Sequence, residues 1–203
     1  MKHKIGIMGG TFDPIHMGHL LLAQSAYESL KLEKVVFIPA GNPPHKRNQI
    51  IEVSARQRAE MVALAIEGDP RFELDLMEVE KDSYSYTYET LQELNRKHPE
   101  NDYYFIIGGD SLRDFYSWKK PELIVQYCHL AASYRPGIST EMDELLEKNR
   151  RDYGGDFVKV PAPMLDISSH QIRELAQNGQ SIRYYVPEKV WQYIAEKEFY
   201  KKI

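Results

Sequence analysis

Cysteine is almost missing from this chain: there is one, Cys128, among 203 residues. A single thiol can form neither an internal disulfide nor a multi-cysteine zinc site, so a reducing compartment, the cytoplasm, is expected. Long apolar runs are missing too. None approaches the roughly 20 residues that span a bilayer, and no signal-peptide pattern precedes the first apolar stretch. Nor is there an excess of positive charge. Lys and Arg total 26 against 30 Asp and Glu, a net charge of −4. That argues against a mainly electrostatic nucleic-acid binder, which needs a basic face, but leaves room for a local basic pocket. What remains is ordinary for a soluble protein, with 42% hydrophobic and 28% charged residues. The expectation is one domain, 1–203, with a real core.

Strand-like and helix-like patterns alternate along it. Ile5 to Met8 is a short apolar strand, and Leu20 to Leu30 is helix-forming. Val35-Val36-Phe37-Ile38 reads as a buried strand ended by Pro39. Ser54 and Gln57 form a capping box ahead of a helix with Met61, Leu64 and Ala65 on one side. Phe72 to Val79 alternates like a strand exposed on one face. Thr87 can cap a helix bearing Leu91 and Leu94, which Pro99 follows. Tyr103 to Ile107 is a further strand, stopped by Gly108-Gly109. Leu130 to Ser133 and Phe157 to Val160 are weaker strand patterns. Ser168 or Ser169 can start a helix over Gln171 to Gln177, closed by Gly179, and Pro187 opens a last helix with Val190, Trp191 and Ile194. Such alternation predicts an α/β fold: a Rossmann-like, doubly wound, mainly parallel sheet with helices on both faces. Ligands of such sheets bind beyond the carboxyl ends of the strands, near the topological switch point.

The most telling segment is Gly9-Gly10-Thr11-Phe12-Asp13-Pro14-Ile15-His16-Met17-Gly18-His19. It is neither Gly-x-Gly-x-x-Gly nor the phosphate loop ending Gly-Lys-Ser/Thr, so the lysine of a kinase or ATPase is lacking. Two histidines at i and i+3 share one helix face. A helix start offers free N–H groups and a positive dipole end, which favour an anion, and glycines let a phosphate come close to the backbone. Asp13 is the segment's only carboxylate, either near a metal or a turn residue before Pro14. A second segment is Ile167-Ser168-Ser169-His170-Gln171-Ile172-Arg173, where Arg173 falls in the first turns of a helix and could reach phosphates. Asp110, after a strand-ending glycine pair, is placed to accept from a ribose or to cap a helix over Ser111 to Tyr116. Trp118, flanked by Ser117, Lys119 and Lys120, suits stacking on a flat ring. Ser85-Tyr86-Thr87 could hold a small carboxylate. Pro43-Pro44-His45-Lys46 is a stiff turn offering a cation.

Together these segments resemble the bacterial nicotinate-nucleotide adenylyltransferases, of the nucleotidyltransferase superfamily with a His-x-Gly-His motif. The one departure is His170, where the Ile-Ser-Ser-Thr-x-Ile-Arg motif has a small hydroxyl residue. The resemblance implies transfer of the adenylyl group of ATP to nicotinate mononucleotide, giving deamido-NAD and pyrophosphate. It implies ATP contacts from Gly9, Gly10, Thr11, Phe12, His16, His19, Gly108, Asp110, Ile167, Ser168 and Arg173, with His16, His19 and Arg173 catalytic. Lys46, Ser85, Thr87, Asp110 and Trp118 would face nicotinate mononucleotide. Mg²⁺ is expected mainly with ATP rather than in a protein metal site. Small molecules are the expected partners, with no nucleic acid and no membrane, and a homo-oligomer stays open. Another phosphate acceptor, such as phosphopantetheine, is the alternative. A regulatory module without turnover would show damaged motifs, yet both histidines and the arginine are intact. An RNA-binding relative would need a basic face and a tRNA-reading domain, and neither is visible.

Overall fold

A computed structural model describes residues 2–43, 53–81, 83–134, 139–163 and 165–201 of the chain. Its elements run β1 (His3–Gly10), α1 (Met17–Leu30), β2 (Lys34–Pro39), α2 (Ala55–Ile66), β3 (Phe72–Leu74), α3 (Thr87–Lys97), β4 (Asn101–Ile107), α4 (Gly109–Arg113), α5 (Pro121–Tyr127), β5 (His129–Tyr134), α6 (Ser139–Tyr153), β6 (Phe157–Pro161), α7 (Ser169–Gln177) and α8 (Glu188–Glu196). The strands form a six-stranded parallel sheet in the order β3-β2-β1-β4-β5-β6. Chain order reverses at β1 and β4, the switch point of an open α/β sheet.

The chain divides into two compact units. The first comprises Met1–Gly9, Leu21–Val36 and Tyr86–Met164; the second comprises Gly10–Leu20, Phe37–Ser85 and Leu165–Ile203. In the first, Ile5 pairs with Tyr103 and Ile7 with Phe105 across β1 and β4, Phe105 with Leu130 across β4 and β5, and Leu130 with Phe157 across β5 and β6. Ile5 to Met8 and Tyr103 to Ile107 are buried without a break. Successive strand residues point to opposite faces, so both faces of these strands are covered, as a parallel sheet requires. Cys128 is buried beneath α5, its thiol donating to Ile124 O at 3.4 Å and pushed up to about 12 by burial. The first unit also contains α6, which the sequence pattern did not suggest. Its segment is dominated by charged residues, and Leu146 is its only buried hydrophobic residue among those described.

In the second unit α2 begins as expected. Ser54 Oγ accepts from Gln57 N–H at 3.3 Å, and the Gln57 side chain accepts from Ser54 N–H at 3.0 Å. The expected strand over Phe72 to Val79 is cut to three residues. The Asp75 carboxylate accepts from Met77 N–H at 2.8 Å, the local bond by which aspartate turns a chain, and Glu80 N–H closes on Leu76 O at 3.0 Å. The turn has a use: Glu78 O lies against Gly41, where any Cβ would sit 2.1 Å from it. Helix α7 is closed by Gly179 at φ +71°, as expected of a C-terminal glycine. No helix of the described residues is long and apolar enough to cross a membrane.

Candidate active site

The loop after β1 belongs to the second unit from Gly10 onward. Gly9 and Gly10 end the strand rather than form a separate turn. In the first unit a Cβ on Gly9 would meet the Phe105 ring at 3.2 Å, and in the second one on Gly10 would meet the Phe12 ring at 3.1 Å. A side chain at either position would therefore press on a protein ring, whatever else approaches it. The left-handed backbone lies at Phe12, φ 51°, uncommon for a bulky residue. It turns the ring inward, edge-on to His19 at 5.1 Å and tilted against Phe37 at 5.9 Å.

Helix α1 starts at Met17, three residues earlier than the apolar pattern suggests. His16 therefore precedes the helix, its carbonyl accepting from His19 N–H at 3.0 Å and Leu20 N–H at 3.4 Å. The two imidazoles lie 3.7 Å apart, tilted by 31°. His16 N–H donates to His19 Nδ1 at 3.2 Å. A backbone N–H can only donate, so His19 Nδ1 carries no proton and its ring N–H is at Nε2. Burial pushes the His16 pKa down to about 4. Burial, and then the neighbouring His16, hold that of His19 well below the ordinary histidine value. Both rings are neutral at pH 7. His16 Nδ1 is buried and has no hydrogen-bond partner among the described residues, an exception in folded proteins. A Cβ at Gly18 would come within 3.1 Å of that Nδ1 and of Cε1, so glycine keeps this edge of the ring uncovered.

The second motif meets the first inside the same unit. Ser168 caps α7, its Oγ accepting from Gln171 N–H at 3.1 Å. Ser169 Oγ instead donates to Pro14 O at 2.9 Å. Arg173 Nη1 donates to Asp13 O at 2.7 Å, three residues before His16. The Ile167 carbonyl borders Gly18, 4.0 Å from where its Cβ would be. Arg173 is thus bonded to the loop that carries His16. His170 is exposed and faces Glu174 at 3.4 Å. Asp13 lies in a turn before Pro14, as one expectation had it, but is buried. It is 4% exposed and accepts from Tyr200 Oη–H at 2.7 Å.

Sequence reasoning gave no role to Arg58, which is 1% exposed on α2. Its guanidinium donates to Thr11 O after β1, to Ala40 O at 2.7 Å and Gly41 O at 3.2 Å after β2, and to Val53 O at 3.3 Å. One planar cation thus fixes two loops. The available signal was its place on the same buried stripe as Met61 and Val62. In the same unit Ser85 N–H donates to Asn42 O at 3.0 Å, and Ser85 Oγ is buried without a partner among the described residues. Lys46 and the turn from 44 onward lie outside the described residues.

The first unit holds the other expected residues. Gly108, not Asp110, precedes α4, and space is open around it. Asp110 sits in the first helical turn, its carboxylate exposed and accepting from Arg113 Nη1 at 2.6 Å. Trp118 is half-buried, edge-on to Phe105 at 6.0 Å and tilted against Phe115 at 5.6 Å. The expected Thr87 cap is replaced. Extended Tyr86 precedes α3 without a side-chain cap bond, and Thr87 is its first residue. The Lys120 ammonium lies 4.6 Å over the Tyr88 ring in that first turn.

The model of the cytidylyltransferase-like family matches residues 7–175. A probable nicotinate-nucleotide adenylyltransferase of a Thermoanaerobacter species is 41% identical over 98% of this chain and 95% of that protein. One from Clostridium tetani is also 41% identical, over 99% of this chain and 100% of its own. The Plasmodium falciparum nicotinic acid mononucleotide adenylyltransferase complexed with NaAD superposes with a TM-score of 0.79 at 22% identity, over 98% of this chain and 97% of its own. The last shows the shared fold, and the first two match nearly the whole chain. The chain belongs to the nicotinate-nucleotide adenylyltransferase family.

Proposed function

We propose that His16, His19 and Arg173 carry the transfer of the adenylyl group of ATP to nicotinate mononucleotide, releasing pyrophosphate and forming deamido-NAD. The observation behind these roles is the buried, unpartnered Nδ1 of His16 on a loop bonded to Arg173. The acceptor's phosphate has a second pKa of about 6, so it reaches pH 7 mostly as the dianion. One of its oxygens attacks the α-phosphorus as the bond to the β-phosphate oxygen breaks, and no general base is required. The protein's task is then alignment and stabilisation of charge on the phosphoryl oxygens. Because burial keeps both imidazoles neutral, they act as oriented donors; the tautomer of His19 offers Nε2–H. Arg173 brings the permanent charge.

Mg²⁺ is assigned to ATP. The Asp13 carboxylate is turned to Tyr200, and no group of three or more His, Cys, Asp or Glu that could hold a metal occurs among the described residues. For the acceptor, the resemblance implies Lys46, Ser85, Thr87, Asp110 and Trp118. Nicotinate is an anion and nicotinamide is neutral, so the free N–H groups at the start of α3 favour the acid. The unpaired Cys128 accords with a cytoplasmic reaction. The test is a panel of nicotinate mononucleotide, nicotinamide mononucleotide and phosphopantetheine with ATP, read by pyrophosphate release and product mass. The acid should have the highest kcat/KM. Equal values for acid and amide would refute the proposed discrimination, and preferred turnover of phosphopantetheine would move the chain to another acceptor.

A further inference from the structure

Beneath the loop that Arg173 bonds lies a buried cluster, Asp13, Tyr200 and the Arg58 guanidinium, to which the reaction above gives no role. Tyr200 follows α8 in a left-handed conformation, φ 62°, and is 2% exposed. Its hydroxyl donates to Asp13 Oδ1 at 2.7 Å. The other carboxylate oxygen, Oδ2, stands 3.9 Å from Arg173 Nη1, beyond hydrogen-bond reach. That nitrogen donates instead to the Asp13 backbone carbonyl. Among the described residues Arg173 makes no other hydrogen bond. The arrangement is unusual, because a carboxylate and a guanidinium so close in a buried setting ordinarily close into a two-bonded pair. Burial first, then the Asp13 charge and its hydrogen bond, push the Tyr200 pKa far above the ordinary phenol value, while Arg173 and Arg58 pull the other way. The hydroxyl therefore keeps its proton and remains a donor.

We propose that Tyr200 is a positioning residue for adenylyl transfer: by occupying one oxygen of Asp13 it stops that carboxylate from closing on Arg173, and so leaves the guanidinium for the phosphates of ATP. Arg173 is then held by a neutral carbonyl and oriented without being neutralised. Loss of the hydroxyl leaves a buried carboxylate short of a partner, and the nearest spare donors belong to Arg173. The proposal rests on the ATP-binding role given to Arg173 above.

The experiment compares the full chain with Tyr200→Phe, which keeps the ring, with Asp13→Asn, and with the double variant. Binding of α,β-methylene ATP is measured by calorimetry, and KM for ATP and for nicotinate mononucleotide by steady-state assay. In Tyr200→Phe, affinity for the ATP analogue should fall about tenfold, the worth of one hydrogen bond to a charged group, with KM for the mononucleotide unchanged. In the Asp13→Asn background the same change should cost nothing further, because a neutral amide lacks the charge that would draw the guanidinium away from the phosphates. A structural role alone would lower Tm and weaken both substrates alike; that result overturns the proposal, as does an additive double variant. Should Tyr200→Phe fail to fold, the double variant decides: analogue affinity equal to that of Asp13→Asn supports the proposal, and weaker affinity overturns it. A wild-type chain that binds the analogue but forms no dinucleotide would count against the proposed reaction, while the binding cycle would still judge Tyr200.

Discussion

Acid should destabilise this protein through His16 before it reaches the carboxylates. His16 is 7% exposed, and burial lowers its pKa from the free value of 6.5 to about 4. The unfolded chain therefore binds a proton that the folded chain refuses throughout that interval. Stability is complete above pH 6.5 and is lost as pH falls toward 4. With those two values the loss by pH 5 is about 2 kcal/mol, rising to about 3 kcal/mol once both states are protonated. His19 shifts in the same direction and adds to it. Carboxylates held below their usual range, such as Asp69 beside Arg71, act mainly in a lower window, around and below the free carboxylate value. The assay is urea unfolding at pH 7.5 and pH 5, followed by tryptophan fluorescence, for the wild type and for His16→Asn. Between these two pH values the wild type should lose about 2 kcal/mol more than the variant. A bound polyphosphate favours the imidazolium, so saturating ATP should shrink the difference. If both chains lose the same stability over this interval, the burial argument for a neutral His16 is wrong, and with it the reading of His16 as an uncharged donor.

Two further changes test the loop from other sides. His19→Ala removes an oriented N–H, so kcat should drop by about 10²–10³ with little change in KM for ATP; single-turnover kinetics check it, and near-normal turnover would contradict the role. Arg58→Lys keeps the charge but not the planar fork that serves four carbonyls, so it should still cost about 2–3 kcal/mol of stability, seen in urea unfolding, and a variant as stable as the wild type would show the loops to be held by other means.

How much of this was legible in the sequence depends on how far apart the cooperating residues lie. The capping box of Ser54 and Gln57, the closing Gly179 and the strands through Ile5, Phe37 and Ile107 depend on neighbours within a few positions, so local pattern suffices. Where a local rule competed with a bond to a distant group, the pattern misled. Thr87 looked like a cap, but extended Tyr86 takes that place. Phe72 to Val79 looked like one strand, but Asp75 bends the chain so that Glu78 can meet Gly41. Helix α6 carried too few apolar positions to announce itself. The two motifs were readable because each is compact. Their junction was not, since Ser169 and Pro14 lie 155 positions apart.

The same distance hides the parts that set the chemistry. From sequence, two histidines beside a phosphate leave their protonation state open. In the fold, the Phe12 ring, the inward turn of the loop and the His16–His19 contact remove water from both rings, and burial lowers both pKa values. In the proposed reaction the charge comes instead from Arg173, which reaches the loop from a helix near the far end of the sequence. Its orientation comes from an aspartate carbonyl, and the aspartate's own carboxylate is held by a tyrosine 187 positions away. A motif can therefore name the groups proposed to meet the substrate, while the orientation of Arg173 depends on Asp13 and Tyr200, which lie far from it in sequence.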